Sequence, residues 1–498
     1  MCTMGTWFER LSTLDSLFLE LEDRTSHMHV GAVAVFDGKA PPYRDFLQLI
    51  EARLHQVPRY RQRVQFVPFK QGRPVWIDES QFDLEYHVRH TALPAPGGDE
   101  ELKRLAGRLF SQALDRDKPL WELWLVEGLD GGAGSAGDGR TPQAEASGGR
   151  FAVISKTHHC MLDGISGVDL ATVLMDTEPT TEAPAAPAEW KPRPAPKASE
   201  LLALSLKEQF TNPIQVVREA LNANNDARKL LREIAGGLKP LLGLAGMGLA
   251  PASALNRPIG PHRRFEVLDL PLPAIRKIRR SLGGTVNDVI LAVVSGALRR
   301  WLTARGESLG PDLRALVPVS MRGAHDRNTF GNQISAVFCP LPVGEPNPVE
   351  RLRKVREAMK GIKEGGQAVG AAALASLGDF APPTLLAQAA RLQAVTRFFN
   401  LLITNVPGPQ FPLYLLGREM RGCYPQVPLA AQQSVGVALL SYHGKVCVGL
   451  LADLDVRDLA GLGEAMRDAL EELLSGAEAP PEVEDKPAAP AQASHPAS

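Results

Sequence analysis

The residues best suited to chemistry lie together, at His158-His159-Cys160-Met161-Leu162-Asp163-Gly164. An imidazole titrates near neutrality. It can therefore take the proton of a hydroxyl as that hydroxyl attacks a thioester, a role that contributes about 10²–10⁴-fold. His159 is assigned as that general base. Asp163, four residues on, is placed to hold the loop shape or the ring orientation. Gly164 permits a backbone turn that a Cβ would obstruct. Neighbouring residues on extended backbone point to opposite sides, so His158 and His159 are expected to have different roles, one facing the reaction and the other the protein. Three other readings stand beside this one. Both histidines could be structural core residues. His158, His159 and Asp163 could bind a metal, but adjacent side chains diverge and no third His or Cys lies at ligand spacing. Cys160 could be a nucleophile, but on extended backbone it points away from His159.

The elements around this run must position it. Phe151–Lys156 is a short β-rich run before it, and Gly164–Met175 carries apolar residues at helical spacing after it. His29–Phe36 reads as another strand and Asp45–Leu54 as a helix. In the second half, Val286–Leu302 is the most regular helix, opened by a capping box of Thr285 and Asp288. Asn287 beside them is a candidate oxyanion donor, with an ordinary first-turn residue as the competing reading. Ser434–His443 and Lys445–Ala452 flank His443-Gly444 as a hairpin, and Gly461–Leu474 is a final amphipathic helix. Trp121 and Trp124, three apart, are expected to share an apolar surface or to face a lipid channel. Asn405 with Pro407-Gly408-Pro409 reads as a rigid turn.

Gly-rich Asp130–Arg150 reads as a flexible loop, Pro-rich Thr177–Ser199 as a connector and Ala477–Ser498 as a tail. The division that follows is 1–176, a linker at 177–255, a second unit at 256–476 and the tail at 477–498. Strands and helices intermix in both halves, which gives an α/β protein of two domains.

Composition narrows the partners. The chain has 55 basic and 56 acidic residues, a balance that argues against a nucleic-acid binder held by phosphate contacts. Its five cysteines are scattered without a CxxC pair, which fits a reducing compartment and no zinc motif. No signal peptide and no uninterrupted apolar span are visible, so a cytoplasmic protein is expected, soluble or resting on a membrane surface. Leu238–Leu255 follows Arg228-Lys229 and Arg232. It reads equally as a membrane-surface segment and as an interdomain packing helix.

Further blocks occur in order along the chain: Leu14-Asp15-Ser16-Leu17-Phe18-Leu19, Met28-His29-Val30-Gly31, Leu114-Asp115-Arg116, Pro119-Leu120-Trp121-Glu122, Asn256-Arg257-Pro258-Ile259-Gly260, Thr285-Val286-Asn287-Asp288, Pro318-Val319-Ser320-Met321-Arg322, Gly331-Asn332, Thr404-Asn405-Val406-Pro407-Gly408-Pro409, and Ser441-Tyr442 with Asp453. With the histidine run they resemble the bacterial wax ester synthase/diacylglycerol acyltransferase family. The resemblance implies the two-domain fold of CoA-dependent acyltransferases such as chloramphenicol acetyltransferase, with a channel between the domains. It implies acyl-CoA as donor, diacylglycerol or a long-chain alcohol as acceptor, no cofactor, and peripheral attachment at the inner membrane or lipid droplets. By the same resemblance Asp163 bonds an arginine, for which Arg322 is the candidate. A non-catalytic acyl-CoA or lipid binder of the same fold is the alternative. The Gly-rich insert and the Pro-rich linker are longer than the family pattern, which bears on acceptor choice.

Overall fold

The computed structural model describes residues 8–130, 149–161, 173–182, 184, 190–207, 248–320, 334–364 and 397–478. The expected helix at Gly164–Met175, the loop at Asp130–Arg150, the segment at Leu238–Leu255 and the tail at Ala477–Ser498 lie largely outside the described residues. The first half contains β1 (Glu9–Arg10), α1 (Thr13–Leu21), β2 (His29–Asp37), α2 (Tyr43–Arg53), β3 (Gln62–Gln65), β4 (Val75–Asp78), α3 (Leu84–His87), β5 (Val88–Ala92), α4 (Asp99–Phe110), β6 (Trp121–Leu129) and β7 (Arg150–His158). The second half contains β8 (Arg263–Pro271), α5 (Leu272–Leu282), α6 (Val286–Ala304), β9 (Leu313–Ser320), β10 (Ile334–Leu341), α7 (Pro348–Glu364), β11 (Leu401–Pro407), β12 (Tyr414–Leu415), β13 (Arg418–Gln426), β14 (Val435–Tyr442), β15 (Lys445–Asp453) and α8 (Leu459–Glu478).

Two six-stranded mixed sheets organise these elements, in the orders β12-β13-β2-β7-β6-β5 and β10-β9-β11-β14-β15-β8. A small sheet, β1-β4-β3, lies beside them. The other expected strands and helices are present, most of them a residue or more longer than their apolar runs. The hairpin turns at His443 and Gly444, both with positive φ, between antiparallel β14 and β15. The capping box on α6 is formed in full: Thr285 Oγ1 accepts from Asp288 N at 3.2 Å, and Thr285 N donates to Asp288 Oδ2 at 2.8 Å. That cap satisfies two otherwise orphaned N–H groups and starts the helix that fills the second core.

Chain order and sheet membership part company at β13. A boundary at 256 assigns Tyr414–Gln426 to the second unit, yet β13 pairs antiparallel with β2, from Met420 opposite Phe36 to Gln426 opposite Gly31. β13 therefore crosses from one unit to the other. The crossing is tight, since a Cβ on Gly449 of β15 would stand 1.8 Å from the Pro425 carbonyl oxygen. A second close approach joins the units at Gly107 of α4, where a Cβ would meet the Arg263 carbonyl oxygen at 2.8 Å. One apolar cluster spans the junction, joining Val33, Phe110 and Ile154 to Phe265, Leu429 and Leu451.

Trp121 and Trp124 do not share a surface. They lie on a strand, where odd spacing sends side chains to opposite faces. Trp121 enters the first core, stacked on His87 at 4.6 Å with its Nε1 donating to the Tyr60 carbonyl at 2.8 Å. Trp124 packs on the interdomain cluster. Asn405 is likewise a strand residue of β11; the turn begins beyond it, where Gly408 N donates to Ser441 Oγ at 3.1 Å. Among the described residues, no single helix is long and apolar enough to cross a membrane.

Candidate active site

β7 is an inner strand whose apolar residues Phe151, Ala152, Val153 and Ile154 are buried on both faces of the first sheet. It delivers His158 as its last residue, and the chain then tightens into a 3₁₀ turn, His159–Met161. Two backbone bonds fix the entry: His158 N donates to the Leu120 carbonyl at 2.9 Å, and His159 N donates to the Met28 carbonyl at 2.8 Å. The chain is no longer extended at His159, and the two rings meet different surroundings. His158 is buried and His159 is half-buried.

His159 lies against α1, its ring centroid 4.1 Å from that of Phe18. Its Nδ1 is buried without a hydrogen bond of ordinary geometry, and its own backbone carbonyl is the group that favours the protonated ring. Burial lowers the imidazole pKa most, that carbonyl raises it in part, and His158 lowers it further, to about 4. The ring is thus neutral at physiological pH, the state a proton acceptor needs.

His158 faces the protein. Its Nδ1 accepts from Cys160 N at 3.1 Å, and its Nε2 lies 3.6 Å from Glu22 Oε2. Glu22, just past the end of α1, has a side chain only 7% exposed, so its charge needs partners. It has several. Arg116 reaches Oε2 through Nε at 3.0 Å and Nη2 at 2.6 Å. His29 Nε2 is 3.3 Å and His27 Nδ1 is 3.7 Å from Oε1. Burial would raise the Glu22 carboxyl, but the contacts from His158, His27 and His29 overturn that and hold it well below the usual carboxylate range. Burial pulls His29 down to about 4 despite Glu22.

Sequence reasoning missed Glu22, Arg116 and His27. The blocks around them were visible, but a carboxylate's burial is not written in its neighbours. Asp163, Gly164 and Arg322 lie outside the described residues. Cys160 is 2% exposed, and burial pushes its thiol well above the ordinary value, which disables it as a nucleophile. Asn287, in the first turn of α6, is joined to Asn405 of β11, whose Nδ2 lies 3.4 Å from Asn287 Oδ1. Asp288 is committed to the cap. No group of three or more His, Cys, Asp or Glu side chains among the described residues is arranged to hold a metal ion.

Two mixed sheets, the first completed by a strand from the second half of the chain, with a histidine turn at the end of an inner strand, define a two-domain α/β protein of the acyltransferase and condensation-domain architecture. The model of the wax ester synthase/diacylglycerol acyltransferase catalytic domain matches residues 11–134 and 146–290, and that of the C-terminal domain matches 330–474. The chain belongs to the wax ester synthase/diacylglycerol acyltransferase family. It is 34% identical over 480 residues to a probable diacylglycerol O-acyltransferase of Mycobacterium tuberculosis, covering 93% of this chain and 96% of that one. Among solved structures it is similar to the wax ester synthase/diacylglycerol acyltransferase from Marinobacter aquaeolei VT8, with 28% identity and a TM-score of 0.63 over 94% of this chain and 100% of that one. A starter condensation domain of rhizomide synthetase shares the fold at 15% identity, with a TM-score of 0.55 over 94% and 95% of the two chains. The protein is an acyltransferase.

Proposed function

We propose that the protein moves a long-chain acyl group from acyl-CoA to diacylglycerol, to a long-chain alcohol, or to both. His159 Nε2 takes the hydroxyl proton while Nδ1 stays protonated toward its own carbonyl. The acceptor oxygen bonds to the thioester carbon, the C–S bond then breaks, and the proton passes to the departing sulfur to give free CoA and an ester. Asn287 is the candidate donor to the tetrahedral oxyanion, a contribution of about 2.7–4 kcal/mol at comparable sites. Asp163 is assigned to hold the loop shape or the ring orientation, with Arg322 as its candidate partner. Acyl-CoA brings its own activated acyl group, so the reaction calls for no further cofactor. The reading includes substrates that meet between the two units and a protein that works at the surface of a membrane or lipid droplet.

The observation that carries this reading is the His159 ring, half-buried, neutral and set apart from the buried His158 that braces it. The test is thiol release from palmitoyl-CoA in the presence of diacylglycerol or hexadecanol, with the esters separated by thin-layer chromatography. His159→Ala is expected to lose about 10²–10⁴-fold of the release. Equal release by wild type and His159→Ala would leave a lipid binder as the better description. Offering both acceptors together ranks them.

A further inference from the structure

The hairpin between β3 and β4 presents aromatic rings to water. Phe69 is 83% exposed and Phe66 40% exposed, while Val67 between them is buried and roots the tip. Phe69 and Lys70 both have left-handed backbone, with φ of 57° and 55°. A residue with a Cβ adopts that region at a cost, and a bulky aromatic there is uncommon. Backbone bonds hold the turn, Lys70 N to the Val67 carbonyl at 3.1 Å and Gln71 N to the Pro68 carbonyl at 3.2 Å. In water the Phe69 ring gains almost no burial in return for this conformation.

The hairpin's own stretch of chain carries one sign of charge, although acidic residues from other segments lie beside it. Between residues 52 and 77 the chain has six basic residues, Arg53, Arg59, Arg61, Arg63, Lys70 and Arg73, and no acidic one. Several reach carboxylates from other segments, as Arg63 does with Glu79 and Lys70 with Glu20. Lys70 nevertheless keeps 62% of its side chain exposed.

The tip is tied to the helix that flanks the reacting histidine. Lys70 Nζ lies 3.2 Å from Glu20, and Arg73 Nη1 lies 3.4 Å from Thr13 Oγ1, at the two ends of α1. Phe18, on the same helix, packs against His159. α1 therefore links the exposed hairpin to the imidazole.

We propose that the β3–β4 hairpin is a docking element for an anionic phospholipid surface, with Phe69 and Phe66 entering the interface and Lys70 meeting the headgroups. Aromatic rings at the interface with basic residues beside them are the pattern by which surface elements hold to such lipid. Docking there sets α1 and His159 against the phase in which long-chain acceptors dissolve. This usefulness rests on the reaction proposed above, but the docking is measured without turnover.

The test is co-sedimentation of the full chain with phosphatidylcholine vesicles, with and without phosphatidylglycerol. Phe66→Ser/Phe69→Ser is expected to weaken vesicle binding about tenfold. Lys70→Glu is expected to weaken it several-fold on the anionic vesicles alone, and less so at high salt. CoA release with a water-soluble short-chain alcohol as acceptor should be unchanged in Phe66→Ser/Phe69→Ser, which separates this idea from the fate of the proposed reaction. Phe69→Trp should show a blue-shifted emission on vesicles, quenched by brominated lipid, beyond the signal of the wild-type tryptophans. Unchanged sedimentation of the double variant overturns the proposal. So does a Phe69→Trp emission that neither shifts on vesicles nor responds to brominated lipid. A double variant that loses self-association while binding vesicles as before would overturn it too, and would make this face a contact between copies of the chain.

Discussion

Glu22 and His158 face each other at 3.6 Å beneath the turn that carries His159. Because Cys160 N donates to the other nitrogen of His158, the carboxylate, the ring and the turn form one continuous support. The reacting histidine is thus positioned by a neighbour that is itself held by a buried charge.

Replacing that charge should be felt at both levels. Glu22→Gln keeps the shape but leaves Arg116 without its carboxylate, a type of change that costs about 3–5 kcal/mol when both partners are buried. Arg116 keeps 41% of its side chain exposed, so water offsets part of that loss. The midpoint of thermal unfolding is still expected to fall clearly. In the surviving folded fraction kcat is expected to drop more than KM changes. A variant with wild-type kcat would show that the support is dispensable to the turn.

The depressed histidines set a pH dependence. His159 protonates at about 4 rather than at 6.5, so kcat/KM should stay flat from roughly pH 8 down to about pH 5 and fall only below that. His29 is shifted in the same direction, to about 4. For both rings the unfolded chain binds the proton more readily. Their contribution to stability is therefore complete above 6.5 and is lost as pH falls through that window toward 4. The low Glu22 carboxyl extends the loss to still lower pH. Urea unfolding at neutral and mildly acidic pH reads the stability arm, and an acid limb of activity centred near 6.5 would contradict the catalytic one.

Asn287 and Thr285 separate catalysis from capping within one helix turn. Thr285→Ala removes the acceptor for Asp288 N and should cost about 1 kcal/mol of stability with little change in turnover. Asn287→Ala should leave the melting temperature nearly unchanged and lower kcat by about 10²-fold. Turnover equal to wild type in the second variant would confine Asn287 to the helix start and its contact with Asn405.

Cys160→Ala is expected to keep acyl transfer within about twofold, because a buried thiol behaves as a small apolar group. The native protein should also resist iodoacetamide at this position. Inactivation that tracks alkylation of Cys160 would restore the covalent route.

Arg263 ties the units together close to the site. Its guanidinium donates to the Gly260 carbonyl at 2.6 Å, to that of His262 at 3.0 Å and to that of Thr25, and it lies 3.6 Å from Asp453. Thr25 belongs to the connection between Glu22 and His29. Arg263→Ala leaves Asp453 and these carbonyls short of a buried donor and should cost about 2–5 kcal/mol, measured by denaturant unfolding, with some loss of turnover. Stability equal to wild type would mean that water replaces the guanidinium.

By itself the sequence determined the features that arise from local backbone geometry. The start of α6 follows from Thr285 and Asp288, and the hairpin at His443-Gly444 from the turn residues. The order of the motif blocks determined the family and, with it, the fold. Tertiary structure alone decided which distant residues meet. His27 and His29 follow Glu22 closely in the chain, but nothing there announces that Arg116 and His158 complete its surroundings, because desolvation depends on what packs around a group and not on its spacing. The same holds for β13, which comes late in the chain yet pairs with β2, and for Trp121 and Trp124, which part because they lie on a strand. Period and capping are properties of a few consecutive residues, whereas partner choice is settled by burial across the whole molecule.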